Sequence, residues 1–377
     1  MNVSDSDRLR RRCDVILPGF HFPSPAAEFR AMADWCETHA VEHDNYGVGG
    51  LLSVFEARVA AVLGKADAVF MPSGVMAQLA ATRIWIETRG IARIGLHPTS
   101  HLLLHEEEAY QALFGVHAVT VGDRLRPLDA ADLAAVVEPL ACLQVELPLR
   151  EAGGVLPSWE ALTALKEAAQ ARGVPLHMDG ARLWECHSCY GRDYAEIARG
   201  FASVYVSMYK GVGGVAGAVL AGDADFVARA RRWQRRMGGT LVRQSPMVVS
   251  AAMRFEARLA VMDDCHRRAL TLAEGLTRLD GVRVQPARPQ VNMMHLYFDV
   301  PAERLVAARD RLAAEQGCWL LTHVRAAGVP GWSVSELYVG DTLLALDDGQ
   351  VLPWFARLLE LAREPMQQEQ ETVSCKD

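Results

Sequence analysis

The middle of the chain alternates short apolar or β-branched runs with longer helical patterns, and this alternation constrains the fold more than any other feature. Runs at residues 68–71, 117–121, 143–147, 175–178 and 204–208 read as strands. One helical unit between them can be read in full. Ser158 is placed to cap a helix, Glu160 falls in its first turn, and Leu162, Leu165 and Ala169 share one face. Gly173 suits the position just past the helix end, and Pro175 opens the next strand. Strands joined through helices pair in parallel, so a mainly parallel sheet covered on both faces is expected. The 175–178 strand delivers His177, Met178 and Asp179 to its carboxyl end, where open α/β sheets bind ligands.

After about residue 250 the pattern changes. One long helix over 250–279 is expected, then strands at 282–284, 291–300, 318–324 and 332–339. A closing helix carries Trp354, Phe355, Leu358 and Leu361. At 377 residues the chain exceeds what one simple core holds. The expected division is a large domain over 46–250 and a small α+β domain over 251–377. Residues 1–45 would join the small domain or a subunit contact. The polar tail 365–377 is expected to fray.

A net charge of −7 argues against nucleic acid as a partner, and the cluster Arg8, Arg10, Arg11, Arg12 reads as a solvated helix face. The N-terminus lacks the apolar core of a secretory signal, and no stretch approaches the roughly 18 apolar residues of a membrane span. Eight cysteines lie scattered without the spacing of a disulfide framework. A cytoplasmic protein with no membrane partner is expected.

Four segments carry candidate chemistry. The first is Asp179-Gly180-Ala181-Arg182, an acid at a strand end. The second is Lys210, after a strand, with Gly211, Gly213, Gly214 and Gly217 behind it. A phosphate loop rivals this reading, but no Ser or Thr follows the lysine. The third, Ser73-Gly74, sits between a strand and a helical run, where backbone N–H groups can take a phosphate. The fourth spaces His97, His101 and His105 four apart. This invites a metal reading, but Pro98 interrupts a continuous helix and no fourth ligand is apparent, so no metal is expected. Cys186 and Cys189 have redox-motif spacing without a partner pair, and Tyr205, Ser207 and Tyr209 alternate as packing residues do.

In this order the segments resemble the threonine aldolase and β-eliminating lyase family of pyridoxal phosphate (PLP) enzymes. The resemblance runs from about Pro18 to Gly239. It implies the aspartate-aminotransferase-like α/β fold (PLP fold type I) and several residue roles. Lys210 would be the Schiff-base lysine and Asp179 the acid that keeps the pyridine nitrogen protonated. Ser73 and Gly74 would hold the phosphate, and His101 would stack on the ring. Arg182 would meet the substrate carboxylate, with Tyr46 of the Asp44-Asn45-Tyr46-Gly47 segment also near the substrate. Arg243 would reach a neighbouring subunit's cofactor, implying a homodimer or homotetramer with shared sites.

This chain also departs from the family. Val75 stands where the phosphate turn usually has Thr, Val48-Gly49 where an acidic pair is usual, and Phe20-His21 where Ser-Asp is common. The stretch 332–340 lacks the small-domain arginine that usually meets the substrate carboxylate, leaving Arg182 alone or Arg325 as a substitute. The expected activity is retro-aldol cleavage of L-threonine-like β-hydroxy-α-amino acids to glycine and an aldehyde. The base is His101, another histidine, or a water. β-Elimination from a cysteine-, serine- or tryptophan-like amino acid is the alternative. A non-catalytic PLP-binding scaffold is a third reading, against which the retention of both Lys210 and Asp179 speaks.

Overall fold

A computed structural model describes residues 5–21 and 23–365. Seven strands form one sheet in the order Asp67–Met71, Ala218–Gly222, Ser203–Ser207, Leu176–Gly180, Leu143–Glu146, Arg93–Leu96, His117–Thr120. Pairing is parallel throughout except at Ala218–Gly222, which runs antiparallel to both its neighbours. The parallel strands carry apolar residues on both faces because helices cover both sides.

The helices Gly74–Arg89 and Ala224–Arg236 close one face over Met71, Tyr205 and Leu220. Helices Gly50–Val62 and Trp159–Ala171 close the other over Phe70, Met178 and Val204. The Trp159–Ala171 helix begins as the sequence suggests. Ser158 Oγ accepts from the Ala161 N–H at 3.1 Å, and Leu162, Leu165 and Ala169 are buried.

A second, antiparallel sheet has the order Val324–Ala326, Ser333–Tyr338, Met293–Phe298, Val282–Gln285. Its own core gathers Leu272, Leu296, Phe298, Leu312, Phe355 and Leu358. Near the N-terminus, Val15–Ile16 pairs in parallel with Cys318–Trp319, and the Gly19 N–H donates to the Tyr338 carbonyl at 2.7 Å.

Two sequence expectations are corrected, and two strands were not foreseen. The single helix over 250–279 is two, Ser245–Ala260 and Met262–Leu276, meeting at Val261. The first buries Val248, Ala251 and Phe255 against the large sheet, while the second turns Leu272 and Leu276 into the other core. One straight helix could not serve both. The strand over 318–324 is also two, Cys318–Trp319 and Val324–Ala326, which pair in different sheets. Strands Arg93–Leu96 and Ala218–Gly222 escaped the sequence reading because Arg93 and Gly95 interrupt the apolar run of one and the other is rich in Ala and Gly. The tail expectation lies, beyond Pro365, outside the described residues.

Candidate active site

Asp179 ends the Leu176–Gly180 strand, and residues two apart on a strand share a face, so His177 lies beside it. Across that face runs the Gly74–Arg89 helix, which carries Gln78. A directional chain of hydrogen bonds results. Trp85 Nε1 donates to Ser203 Oγ at 2.9 Å, and Ser203 Oγ meets His177 Nδ1 at 2.8 Å. His177 Nε2 meets Gln78 Oε1 at 2.7 Å, and Gln78 Nε2 donates to Asp179 Oδ2 at 2.6 Å. The carboxylate accepts only from the amide nitrogen, which orients the amide, puts the His177 proton on Nε2 and makes Ser203 a donor. Burial drives the His177 imidazole down to about 3, so it is neutral throughout the physiological range. With His177 neutral, Asp179 is the member of this hydrogen-bond series able to hold charge near neutrality.

Asp179 Oδ1 accepts one further bond, from the Ala181 N–H at 3.1 Å. Each carboxylate oxygen therefore keeps acceptor capacity for a group entering from the cavity. Burial raises the Asp179 carboxyl, against the opposing pull of Lys210. A buried carboxylate with spare acceptors and a burial penalty is stabilised by a cationic N–H donor.

Lys210 follows the neighbouring Ser203–Ser207 strand in a tight turn. Ser207 Oγ accepts from the Lys210 N–H at 3.3 Å, and the Lys210 carbonyl accepts from the Gly213 N–H at 3.0 Å. The turn requires Gly217, at φ +106°, because a Cβ there would lie 2.1 Å from Phe70 Cζ. Burial first, and then Arg182, push the Lys210 amine down to about 8. A substantial fraction is then the neutral nucleophile at physiological pH.

Lys210, Asp179, His101, Gly74 and Arg182 line one cavity, together with Val75, Gln78, Glu106, Glu146, Arg150, Ala181, Tyr205 and Tyr209. Ser73 caps the Gly74–Arg89 helix, accepting from the Met76 N–H at 3.2 Å. At Gly74 a Cβ would fall 2.1 Å from Tyr205 Oη, so only glycine leaves the helix start open to the cavity. His101 Nδ1 meets Glu106 Oε1 at 2.8 Å, which places its proton there and leaves Nε2 as an acceptor. Arg182 forms no ion pair among the described residues and stands 5.8 Å from the Tyr338 ring centroid.

Tyr46 and Arg243 do not line this cavity. They lie on adjoining segments, where Arg243 Nη1 donates to the Asp44 carbonyl at 2.7 Å and to Asn45 Oδ1 at 2.9 Å. His97 points away, with Nε2 meeting the Asp123 carbonyl at 2.7 Å, and only His101 and His105 are neighbours.

Comparison with known proteins places this geometry. The family model described as β-eliminating lyase matches residues 25–299. The chain belongs to the β-eliminating lyase family. An Arabidopsis thaliana protein described as low-specificity L-threonine aldolase 1 is 29% identical over 294 residues, covering 74% of this chain and 81% of its own length. A solved Listeria monocytogenes structure described as an L-allo-threonine aldolase superposes with a TM-score of 0.88 and 34% identity, covering 94% of this chain and 99% of that one. An Exiguobacterium structure described as an aromatic amino acid β-eliminating lyase/threonine aldolase also gives a TM-score of 0.88, with 36% identity over 94% and 99%. The architecture is the aspartate-aminotransferase-like α/β fold.

In this β-eliminating lyase relative, the sequence reading missed Gln78, Glu106, Glu146 and Arg150. Glu146 carried a usable signal, being an acid at the end of the strand beside Asp179, with which it is in register. Burial, then Asp179, raise its carboxyl to about 8, and Oε2 has no partner. Glu185, nearby but outside the lining, is likewise pushed up to about 8 by burial. Burial biases both carboxyls toward the protonated form. The cationic groups of the cavity therefore face fewer anions than the sequence count implies.

Proposed function

We propose that this chain is a PLP-dependent carbon–carbon lyase that cleaves L-threonine-like β-hydroxy-α-amino acids to glycine and an aldehyde. The observation that carries the reading is the pairing in one cavity of a lysine amine lowered to about 8 with a buried carboxylate that has spare acceptors. The donor set fits the cofactor. Lys210 offers the amine for its carbonyl, Asp179 the anion for its ring nitrogen, and the open helix start at Ser73–Gly74 the N–H donors for its phosphate. When bound, PLP supplies a ring that accepts the electron pair left by bond cleavage.

The chain's own residues do the rest. Asp179, oriented by Gln78, holds a proton on the ring nitrogen. Lys210, as the neutral amine, takes and releases protons as the substrate amine exchanges with it. Arg182, free of carboxylate partners in the described residues, binds the substrate carboxylate. His101 Nε2, left as an acceptor by the Glu106 bond, takes the β-hydroxyl proton. We also propose a homodimer or homotetramer. In support, the exposed Tyr46 (56%) and Val48 (75%) follow directly on the Asp44–Asn45 segment that Arg243 binds.

Incubation of the PLP-loaded protein with L-threonine and L-allo-threonine tests the activity. Glycine and acetaldehyde in equal amounts are expected. Pyruvate and ammonia from serine or cysteine, with no glycine from any β-hydroxy amino acid, would replace this reading with β-elimination.

A further inference from the structure

We propose that Arg150 is a second carboxylate-binding side chain, gripping the substrate carboxylate together with Arg182. The inference rests on the reading of the cavity as an amino-acid site. Three cationic side chains line that cavity: Lys210, Arg182 and Arg150. Lys210 is committed to amine chemistry, and a carboxylate has two oxygens to satisfy.

Arg150 follows the Leu143–Glu146 strand and pairs with two carboxylates, Glu151 through a hydrogen bond and Glu336 through an ion pair. Nη1 donates to Glu151 Oε1 at 3.0 Å, and Nε lies 2.8 Å from Glu336 Oε2. Nη2 has no partner among the described residues. Its side chain keeps 29% of its surface exposed and lines the cavity. Glu336 belongs to the Ser333–Tyr338 strand of the antiparallel sheet, so the pair ties the two sheets together beside the cavity. The guanidinium is thereby pre-oriented and loses little freedom on binding.

The local charges also balance. Arg325 lies 3.8 Å from Glu151 Oε2, giving two arginines for the two carboxylates Glu151 and Glu336. An incoming carboxylate then finds Arg182 uncompensated and the open edge of Arg150 beside it. Arg325, which the sequence offers as a substitute, is 61% exposed and does not line the cavity. It pairs with Glu151 outside the cavity lining.

The test is equilibrium binding to the PLP-loaded protein, followed by the shift of the cofactor's visible band and by calorimetry. Glycine carries amine and carboxylate, and methylamine the amine alone. Arg150→Met is expected to weaken glycine about 10- to 100-fold, the range of a lost charge-assisted hydrogen bond, and to leave methylamine within about twofold. Arg150→Lys keeps the charge without the planar fork and should fall between the wild type and Arg150→Met. It also serves if Arg150→Met fails to fold. Arg325→Met should leave glycine binding unchanged. Equal weakening of both amines would mark a purely structural role and overturn the inference, as would unchanged glycine binding in both Arg150 variants. A wild-type protein that takes up PLP but binds neither amine would overturn the amino-acid reading of the cavity, a result distinct from the other two.

Discussion

At Lys210 the balance of burial and charge decides the chemistry. A lysine in water holds its proton to about pH 10.4 and is a poor nucleophile at neutrality. Here burial and Arg182 bring it to about 8. The rate of PLP uptake by cofactor-free protein should therefore rise about tenfold per pH unit below 8 and level off above it, measured by stopped-flow absorbance. A rate flat from pH 6 to 9 would contradict the lowered amine.

His177 sets a second pH dependence. Its folded pKa of about 3 lies below the unfolded value near 6.5, so between these limits the unfolded chain binds more protons. Stability should fall by up to about 1.4 kcal/mol per pH unit as pH drops below 6.5. His177→Asn should flatten that slope in denaturant titrations at successive pH values. Gln78→Leu removes the donor on Asp179 Oδ2 and strands His177. It should cost about 1–3 kcal/mol of stability and weaken PLP binding as well. Asp179 and Lys210 were legible in the sequence because each sits at a strand end in a distinctive local pattern. Gln78, Glu106 and Arg150 were not, because their neighbours come from distant parts of the chain or their own segments look ordinary.

Among elements, the Gly74–Arg89 helix has the most to do. Its N-terminus opens onto the cavity, while Gln78, one turn further on, reaches Asp179. These tasks separate by substitution. Ser73→Ala loses the cap and should cost about 1 kcal/mol. Gly74→Ala drives a Cβ into Tyr205, so PLP affinity should drop more than stability does, as read by cofactor titration beside thermal unfolding. Retained PLP affinity in Gly74→Ala would show that the open helix start is not the phosphate site. The Ser158–Gly173 unit could be read from the sequence because its caps and face agree. The break at Val261 could not, because no Gly or Pro marks it and only the separation of the two cores requires it.

Across the whole molecule, ion pairs also join helices, here Ser245–Ala260 to Asp341–Ala345. Arg258 reaches Asp341 with Nη1 at 2.5 Å and Nη2 at 2.9 Å, while its guanidinium lies 4.4 Å from the Phe20 ring centroid. Arg258→Met should lower stability by about 1–2 kcal/mol, as read by denaturant unfolding. The proposed oligomer is testable at the same scale. Sedimentation should give a dimer or tetramer, and a fully active monomer would contradict shared sites. No helix among the described residues is long and apolar enough to cross a membrane. The alternation of strands and helices announced the large sheet, whereas the second sheet is built from pairings between segments that only the folded chain aligns.

The central claim is that Lys210 holds PLP in the Asp179 cavity. Borohydride reduction of the PLP-loaded protein, followed by proteolysis and mass spectrometry, tests it most directly. The predicted result is a phosphopyridoxyl group fixed on Lys210 alone, with loss of the visible band in both the reduced protein and Lys210→Ala. A label on any of the other lysines, or a visible band that survives in Lys210→Ala, would contradict it.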